Sequence, residues 1–274
     1  MEVTKELVDN IASQIKAKIP FCPTVAIILG SGLSSFVDEM ENKIVVRYQE
    51  IAGMPFSNVE GHKNQFVFGK LGEKYIVAMQ GRFHPYDGFS AKECGLPVYV
   101  FNKLGVKTLI VTNSAGAINQ SYNVGDLVLI KDHINLTAQN PMINGSILDG
   151  KVRFVDLKQV YDKNYLQAAE NLANKLNIRT HKGVYIQVLG PTYETPAEVK
   201  FFRTIGADVV AMSTVLEVIS ACDCGMKVLG ISCVANKAVS EDEKEVLSHK
   251  EVLESGIKAT ENLKDLIGEF LKEI

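Results

Sequence analysis

Runs of apolar residues that end abruptly in small or polar residues recur along this chain, and they constrain its fold more than any other feature. The first run, residues 24–29, leads directly into a Gly-Ser-Gly segment at 30–32. Uninterrupted apolar runs of this length are typical of strands buried on both faces of a mainly parallel sheet. Helical stretches such as 164–176 and 196–205 separate the runs. The alternation therefore predicts an α/β fold with a central, largely parallel sheet.

Polar side chains stand where these predicted strands end. Further apolar runs occupy residues 75–79, 106–111, 183–189, 208–212 and 227–235. In parallel sheets, ligands bind in the crevice outside the carboxyl ends of the strands. We therefore expect the polar residues that follow the runs to form one site. They are Ser31, Arg82, His84, Ser114, Glu194, Ser213 and Asn236.

The chain gives no sign of division into domains. It contains no internal repeat and no linker rich in Pro, Gly or Ser, so a single domain over residues 1–274 is predicted. Apolar residues four apart between Val3 and Ile19 predict an opening amphipathic helix, which Pro20 ends. A second helical pattern runs from about residue 243 through Leu271.

Composition and charge narrow the functional classes. With 29 basic and 32 acidic residues the net charge is −3, which gives no global electrostatic footprint for nucleic acid or an anionic membrane. No apolar run approaches the roughly 18 residues of a membrane span. Charges are spread through residues 1–20, so no signal peptide is predicted and a cytoplasmic location is expected. The five cysteines lack a zinc-like spacing and are interpreted as structural thiols.

The first group of strand ends favours an anion site. The segment at 30–32 lets the backbone approach a ligand and offers a hydroxyl, but it lacks the third glycine of a dinucleotide fingerprint. Arg82 adds a rigid fork of donors that matches tetrahedral oxyanions, and the imidazole of His84 adds another donor. Together with Ser31 and Ser213 at other strand ends, these side chains indicate a phosphate pocket.

Glu194 and Asn236 suit a different partner. A carboxylate accepts hydrogen bonds from N–H groups, whereas an amide both donates and accepts, so the pair could read the edge of a heterocyclic base. Taken singly, Glu194 is better explained as a charge near a helix start, and Asn236 as a turn residue. Their joint placement at strand ends favours base binding.

A second chemistry competes at residues 112–116. Their Thr-Asn-Ser-Ala-Gly sequence resembles the G-x-S-x-G nucleophile elbow, with Thr112 in place of the first glycine. Asp223 and His249 follow in the order that a serine hydrolase with Ser114 as its nucleophile requires. A β-branched residue crowds the strained turn that the glycine relieves, which disfavours this hypothesis.

Five motifs in this order resemble those of the trimeric, low-molecular-mass purine nucleoside phosphorylases, and the likeness extends from the first strand to the final helix. The motifs are Gly30-Ser31-Gly32-Leu33, Gly81-Arg82-Phe83-His84, Thr112-Asn113-Ser114-Ala115-Gly116, Gly190-Pro191-Thr192-Tyr193-Glu194-Thr195-Pro196 and Met212-Ser213-Thr214-Val215. The resemblance implies a phosphorylase/hydrolase-like fold, in which helices surround a central mixed, mostly parallel sheet with a small distorted barrel. It also implies a homotrimer that catalyses reversible phosphorolysis of purine nucleosides to free base and α-ribose 1-phosphate. Inorganic phosphate is then a co-substrate, and no metal or organic cofactor is expected.

The resemblance assigns roles motif by motif. Phosphate binding is implied for Ser31, His62, Arg82, His84, Ser114 and Ser213. Ribose and purine contacts are implied for Tyr86, Phe154, Tyr193, Glu194, Met212, Asn236 and His249, with Phe154 lent to a neighbouring subunit. The residues expected to carry catalysis are Asn236, Glu194 and His84. Asn236 would donate to purine N7 as negative charge develops there, while Glu194 holds the base in register.

Asn236 also bears on substrate choice. Related methylthioadenosine phosphorylases carry Asp at this position, which suits a 6-amino group, whereas Asn suits the 6-oxopurines of inosine and guanosine. Three residues depart from the family pattern: Ser114, which could add a phosphate donor, and Ala211 and Ala235, which could extend base preference to xanthosine. A xanthosine- or methylthioadenosine-preferring phosphorylase and a non-catalytic nucleoside-binding protein stay open as alternatives. So does closure of residues 240–248 as a lid.

Overall fold

The chain, described by a computed structural model over residues 1–59, 61–238 and 249–274, alternates strands and helices along its length. The side chains of residues 249–259 lie outside this described part. The strands are β1 (Val25–Leu29), β2 (Glu41–Arg47), β3 (Gln65–Leu71), β4 (Lys74–Gln80), β5 (Thr108–Ala117), β6 (Leu127–Asn135), β7 (Thr180–Gln187), β8 (Val209–Ala211) and β9 (Lys227–Lys237). The helices are α1 (Lys5–Lys16), α2 (Ala91–Leu104), α3 (Lys163–Lys175), α4 (Pro196–Thr204), α5 (Val215–Asp223) and α6 (His249–Glu273).

The strands form one mixed sheet that closes partly on itself. Their order is β2-β3-β4-β1-β5-β8-β7-β6-β9, and β9 also pairs with β5. Strands β5, β8, β7, β6 and β9 therefore make a five-stranded barrel, from which β1 and β4 continue as a parallel extension. The predicted α/β class, with a mixed sheet and a small barrel surrounded by helices, is confirmed.

The buried centre of the sheet explains the apolar runs. All five residues of β1 are buried, and the strand is parallel to its neighbours β4 and β5 on both sides. The antiparallel edge strand β2 has no such run, because only Val46 among its seven residues is buried. This is why the sequence pattern predicts β1 and gives no signal for β2.

The helices begin and end close to the predicted positions, apart from the first. α3 and α4 each lie within one residue of the predicted stretches at 164–176 and 196–205. α1 is shorter than the apolar spacing suggests: the Thr4 hydroxyl accepts from the Leu7 N–H and starts the helix, which ends at Lys16. Residues 239–248, including the beginning of the predicted tail helix and the candidate lid at 240–248, lie outside the described residues. None of the described helices is long and apolar enough to cross a membrane; the cytoplasmic location stays a prediction.

Two strands run further than their apolar runs predict. β5 continues to Ala117 and β9 to Lys237, so that Ser114 and Asn236 lie within strands instead of after them. The two strands pair in parallel along this length, with a register shift between Ala115 and Gly116 that brings Gly116 opposite Asn236. Such an irregularity bends a strand locally and re-aims its side chains. The sequence prediction ended both strands too early because the extra residues belong to no apolar run and are held as strands by pairing within the barrel, between β5 and β9 and between β5 and β8.

Gly30 marks a close approach between β1 and β5. A Cβ atom at this position would lie 2.6 Å from Asn113 Cα, which is shorter than any tolerable contact with rigid backbone. The Gly30 N–H donates to Thr112 Oγ1 at 3.1 Å, and the same hydroxyl donates to the Ile28 carbonyl at 2.9 Å. The carboxyl end of β1 is thereby fixed against β5.

We predict that Gly30→Ala lowers the free energy of unfolding by about 1–3 kcal/mol, because the added methyl group must displace backbone. Urea denaturation monitored by circular dichroism measures the change. Gly268→Ala is the matched control: the residue lies within α6 with no atom near its Cβ position, and the helix propensity of Ala stabilises by up to about 1 kcal/mol. Equal stability of the Gly30→Ala variant and the parent would contradict the close approach.

Candidate active site

A pocket of about 670 Å³, part of it open to solvent, lies where the carboxyl ends of β1, β4 and β8 meet the middle of the barrel. Ten of the predicted site residues line it. The lining residues are Gly30, Ser31, Arg82, His84, Tyr86, Asn113, Ser114, Ala115, Gly116, Tyr193, Glu194, Val210, Ala211, Met212, Ser213 and Asn236.

Arg82 forms a buried cationic wall of the pocket. Its side chain is only 2% exposed, and Nη1 donates to the Thr112 carbonyl at 2.7 Å and to Ser213 Oγ at 3.0 Å. Nε lies 3.1 Å from Glu217 Oε1, as an ion pair and not as a well-aligned hydrogen bond. Burial raises the pKa of Glu217, although the positive charge of Arg82 opposes that shift. Nη2 has no hydrogen-bond partner among the described residues, which leaves it for a ligand.

Ser213 is held by a strained but well-anchored turn. Thr214 has a φ of 92°, a conformation that costs a β-branched residue about 1–3 kcal/mol unless its surroundings impose it. Three bonds do so: Tyr185 Oη donates to the Ser213 carbonyl at 2.6 Å, Asn113 Nδ2 donates to Thr214 Oγ1 at 3.0 Å, and the N–H of the next residue donates to Gln187 Oε1 at 2.7 Å. The turn therefore presents the Ser213 hydroxyl in a fixed position beside Arg82.

Ser114 connects strand β5 to the segment that follows β1. Its hydroxyl donates to the Ser31 carbonyl at 2.7 Å. The unusual hydroxyl at this position thus already has an acceptor within the protein, and its visible effect is to join β5 to the segment after β1.

His84 lies in a column of aromatic rings at one side of the pocket. Its ring stacks on His62 at a centroid distance of 5.3 Å and on Tyr86 at 4.6 Å. His62 is behind His84 and does not line the pocket; its Nδ1 is 3.2 Å from Ser57 Oγ. Burial raises the pKa of Tyr86 to about 12, so its hydroxyl stays protonated at neutral pH and can donate to a ligand.

The opposite wall carries Glu194, Tyr193 and Met212. Burial raises the pKa of the Glu194 carboxyl, and the nearby negative charge of Glu198 acts in the same direction. The loop packs closely on Met212, because a Cβ atom at Gly190 would lie 2.3 Å from the Met212 sulfur. Tyr193 remains 37% exposed, so this wall is more open to solvent than the side formed by Arg82.

Asn236 reaches the pocket from β9. It lies opposite Gly116 in the β5–β9 pairing, and its Nδ2 donates to the Lys237 carbonyl at 2.8 Å. Because Gly116 has no side chain, it leaves room for the Asn236 amide: a Cβ atom at position 116 would lie 3.3 Å from Asn236 Nδ2. The Asn236 amide therefore lies where the barrel lines the pocket, near Ala115 and Ser114 of β5.

Besides His62, two predicted site residues are not placed in this pocket. Phe154 is fully exposed and lines a separate groove with Ile143 and Val152. His249 begins α6, but its side chain lies outside the described part of the chain.

Sequence reasoning missed several residues that shape the site from behind. Gln187 and Tyr185 of β7 fix the turn at 213–215, and Glu217 of α5 faces Arg82. Of these residues, only Glu217 could have been identified from the sequence. It is the one acid in the Val215–Ala221 stretch of α5, where the other residues except Ser220 are apolar. Among the lining residues, Val210 had no recognisable signal because it is an ordinary strand residue.

The structure does not support the serine hydrolase hypothesis, because the acid that it requires lies outside the pocket. Asp223 does not line the pocket, and its carboxylate accepts from Tyr99 Oη at 2.9 Å and Ser146 Oγ at 2.5 Å. Ser114 donates to a carbonyl instead of to a histidine. Over the residues that the structure describes, no group of three or more His, Cys, Asp or Glu side chains is arranged to hold a metal ion.

Comparison with known proteins gives a consistent result. The family model of the phosphorylase superfamily matches residues 24–272. Purine nucleoside phosphorylase 1 of Bacillus subtilis (strain 168) is 48% identical over 250 residues, which cover 91% of this chain and 92% of the relative. A crystal structure of Schistosoma mansoni purine nucleoside phosphorylase in complex with inosine is 34% identical with a TM-score of 0.94, covering 100% of this chain and 98% of the other. A complex of the Schistosoma mansoni enzyme with adenosine is 35% identical with a TM-score of 0.94, covering 100% and 99%.

Proposed function

Because this chain belongs to the purine nucleoside phosphorylases of the phosphorylase superfamily, we propose that its pocket cleaves 6-oxopurine nucleosides, inosine and guanosine above all, with inorganic phosphate. The chain is an enzyme, so the non-catalytic alternative falls away. The observation that carries the proposal is the meeting of two unlike walls in one pocket: the donor-rich side of Arg82, Ser213 and His84, and the side of Glu194 and Asn236.

The first wall suits phosphate. Arg82 has donors on Nη2 that no described residue uses, and the Ser213 hydroxyl stands beside its guanidinium at 3.0 Å. Ser31 and the backbone at Ser114 add donors at the ends of β1 and within β5. In the transition state the ribose gains positive charge, which bound phosphate stabilises before one of its oxygens bonds to C1′.

The second wall suits the departing purine. As the glycosidic bond breaks, negative charge develops on the base, and a fixed amide donor from Asn236 at N7 stabilises it. Glu194 accepts the base N–H and holds the ring in register, which is a positioning role. Tyr86, Tyr193 and Met212 supply the apolar surfaces between which ribose and base lie. His84 connects the two sides of the pocket: it belongs to the side proposed for phosphate, and its ring stacks on Tyr86, which is proposed to contact the nucleoside.

The choice of base rests on the amide at position 236. An amide donates to N7 and accepts or donates at the 6-position, whereas the carboxylate of methylthioadenosine phosphorylases favours a 6-amino group. Ala211 lines the pocket, and Ala235 precedes Asn236 on β9, so both can widen the space around the base and admit xanthosine. The Schistosoma mansoni complex with adenosine makes adenosine the appropriate comparison substrate.

We also propose that the chain, a single domain over 1–274, acts as a homotrimer in which Phe154 enters a neighbouring pocket. Three large apolar side chains, Ile143, Val152 and Phe154, are 58%, 72% and 100% exposed around one groove. A contiguous apolar surface of this kind is typical of an interface with another chain. The open wall near Tyr193 leaves space for an aromatic ring from outside.

We predict that Asn236→Asp lowers kcat/KM for inosine at least about a hundredfold, because it removes the N7 donor, and that the ratio of inosine to adenosine turnover falls by a similar factor. Release of free base, followed by absorbance in phosphate buffer, gives both values. Asn171→Asp, the same chemical change on the exposed surface of α3, should leave the ratio unchanged. An unaltered ratio in Asn236→Asp would contradict the role of this amide.

The same assay without phosphate checks the reaction itself. Without phosphate, base release should stop. With phosphate, free base and α-ribose 1-phosphate should appear in equal amounts. Release of base with free ribose in the absence of phosphate would indicate hydrolysis and overturn the assignment of Arg82 and Ser213 to phosphate.

We predict an acidic loss of kcat/KM for inosine that depends on Glu194. The carboxyl must be ionised to accept the base N–H, and burial raises its pKa, so protonation begins at a higher pH than for an ordinary glutamate. The kcat/KM of the parent divided by that of Glu194→Gln should therefore fall as the pH is lowered. Titration of the phosphate substrate affects both proteins equally and cancels in this ratio. Glu198 is an exposed acid on α4, and the Glu198→Gln variant should show the same acidic loss of kcat/KM, with its midpoint at a slightly lower pH at most. A parent-to-Glu194→Gln ratio that is constant from pH 8 to about 4.5 would contradict the role of Glu194.

We predict that Phe154→Ala raises the KM for inosine at least about fivefold while kcat changes less, because the lost ring contributes binding area in the neighbouring pocket. Steady-state kinetics measures this, and light scattering should give three times the mass of one chain. Phe201→Ala, which removes a half-exposed ring on α4, is the control and should change neither constant. A fully active single chain in solution would contradict the proposal.

A further inference from the structure

Helix α5 carries a buried acid that the catalytic roles above do not use. Its sequence is apolar from Val215 to Ala221 apart from Glu217 and Ser220, and Glu217 is 2% exposed. An unpaired carboxylate in such surroundings is strongly unfavourable, so an acid here needs a cationic partner. The partner is Arg82, with Nε 3.1 Å from Glu217 Oε1.

We propose that Glu217 is a positioning residue for phosphate, because it fixes the orientation in which Arg82 presents its free donors to the pocket. The inference rests on the proposed phosphate role of Arg82. Glu217 itself does not line the pocket, so any effect on phosphate passes through the guanidinium.

The orientation follows from the use of the five N–H groups of arginine. Nη1 is occupied by the Thr112 carbonyl and Ser213 Oγ, and Nε faces the carboxylate. A planar guanidinium held at Nε and Nη1 can place Nη2 in only one direction. Nη2 has neither a hydrogen-bond partner nor an ion-pair contact among the described residues, and Arg82 lines the pocket.

Glu217 and Ser213 are held in one rigid unit. Gln187 Oε1 accepts the Val215 N–H at the first residue of α5, and Tyr185 Oη donates to the Ser213 carbonyl. Glu217 lies two residues into this helix. The turn that presents the Ser213 hydroxyl and the helix that presents the carboxylate therefore position two sides of the same guanidinium.

Two effects of the carboxylate oppose each other. Its negative charge reduces the attraction of Arg82 for a phosphate dianion, but it also prevents a buried cation from turning toward other acceptors or pocket water. Nε and the carboxylate interact through charge and not through a well-aligned hydrogen bond, so a neutral amide would be a poor substitute. The orienting effect therefore predicts weaker phosphate use when the charge is removed.

The test compares two acid-to-amide changes on the same helix. Glu217→Gln should raise the phosphate KM about tenfold and the inosine KM less than twofold. Asp223→Asn also removes a buried carboxylate from α5, but its hydrogen-bond donors Tyr99 and Ser146 and its ion-pair partner Arg153 do not line the pocket, so the phosphate KM should stay within twofold. Glu217→Asp keeps the charge and should recover part of the loss. Thermal unfolding of all three variants separates loss of stability from loss of phosphate binding.

The inference is overturned if the phosphate KM of Glu217→Gln falls, rises less than threefold, or rises no more than the inosine KM. A fall would mean that Glu217 acts as a countercharge and not as an orienting group. Arg82→Lys separates this from failure of the proposed phosphate site. If Arg82→Lys leaves the phosphate KM unchanged, the site assignment fails; if it raises the KM and Glu217→Gln does not, only the role of Glu217 fails.

Discussion

The buried guanidinium of Arg82 is the interaction on which the rest of the site depends. A cation with 2% exposure must be surrounded by acceptors, and these come from three parts of the chain: the Thr112 carbonyl of β5, the Ser213 hydroxyl after β8 and the Glu217 carboxylate of α5. Strand β4, which leads to Arg82, and strands β5 and β8, which position two of the acceptors, must therefore keep a fixed register. The barrel closure between β5 and β9 therefore bears directly on the chemistry of the pocket.

Thr112 explains why a sequence that resembles a nucleophile elbow serves another purpose. Its hydroxyl accepts from the Gly30 N–H and donates to the Ile28 carbonyl, while its own carbonyl accepts from Arg82. A glycine here would lack the hydroxyl and lose these two hydrogen bonds between the end of β1 and β5. The β-branched residue that counts against a hydrolase is thus the residue that joins the phosphate wall to the sheet, and β5 continues straight through Ser114 instead of turning sharply.

The sequence predicts the pocket well because parallel strands end at one edge of a sheet, and ten of the predicted residues, among them Arg82 and Asn236, meet there. It could not predict the extent of β5 and β9, since their last residues belong to no apolar run and become strand only through pairing within the barrel. Nor could it connect Glu217 with Arg82, which are 135 positions apart and are brought together by tertiary packing. Phe154 lies outside the pocket and is fully exposed, which agrees with the proposal that it enters the pocket of a neighbouring chain.

The two walls of the pocket differ in how firmly they are held, and this difference has a consequence for specificity. Arg82, Ser213 and Ser114 are fixed by protein hydrogen bonds before any ligand binds, so the side proposed to bind phosphate needs little reorganisation in the transition state. Tyr193 is more exposed and Glu194 sits on a loop against Met212, so the base side is easier to alter. Substitutions at Ala211, Ala235 or Asn236 can therefore change which purine is accepted without disturbing the bonds that hold Arg82. Under the proposed assignment, the bonds that hold the phosphate side are therefore separate from the contacts that choose the base.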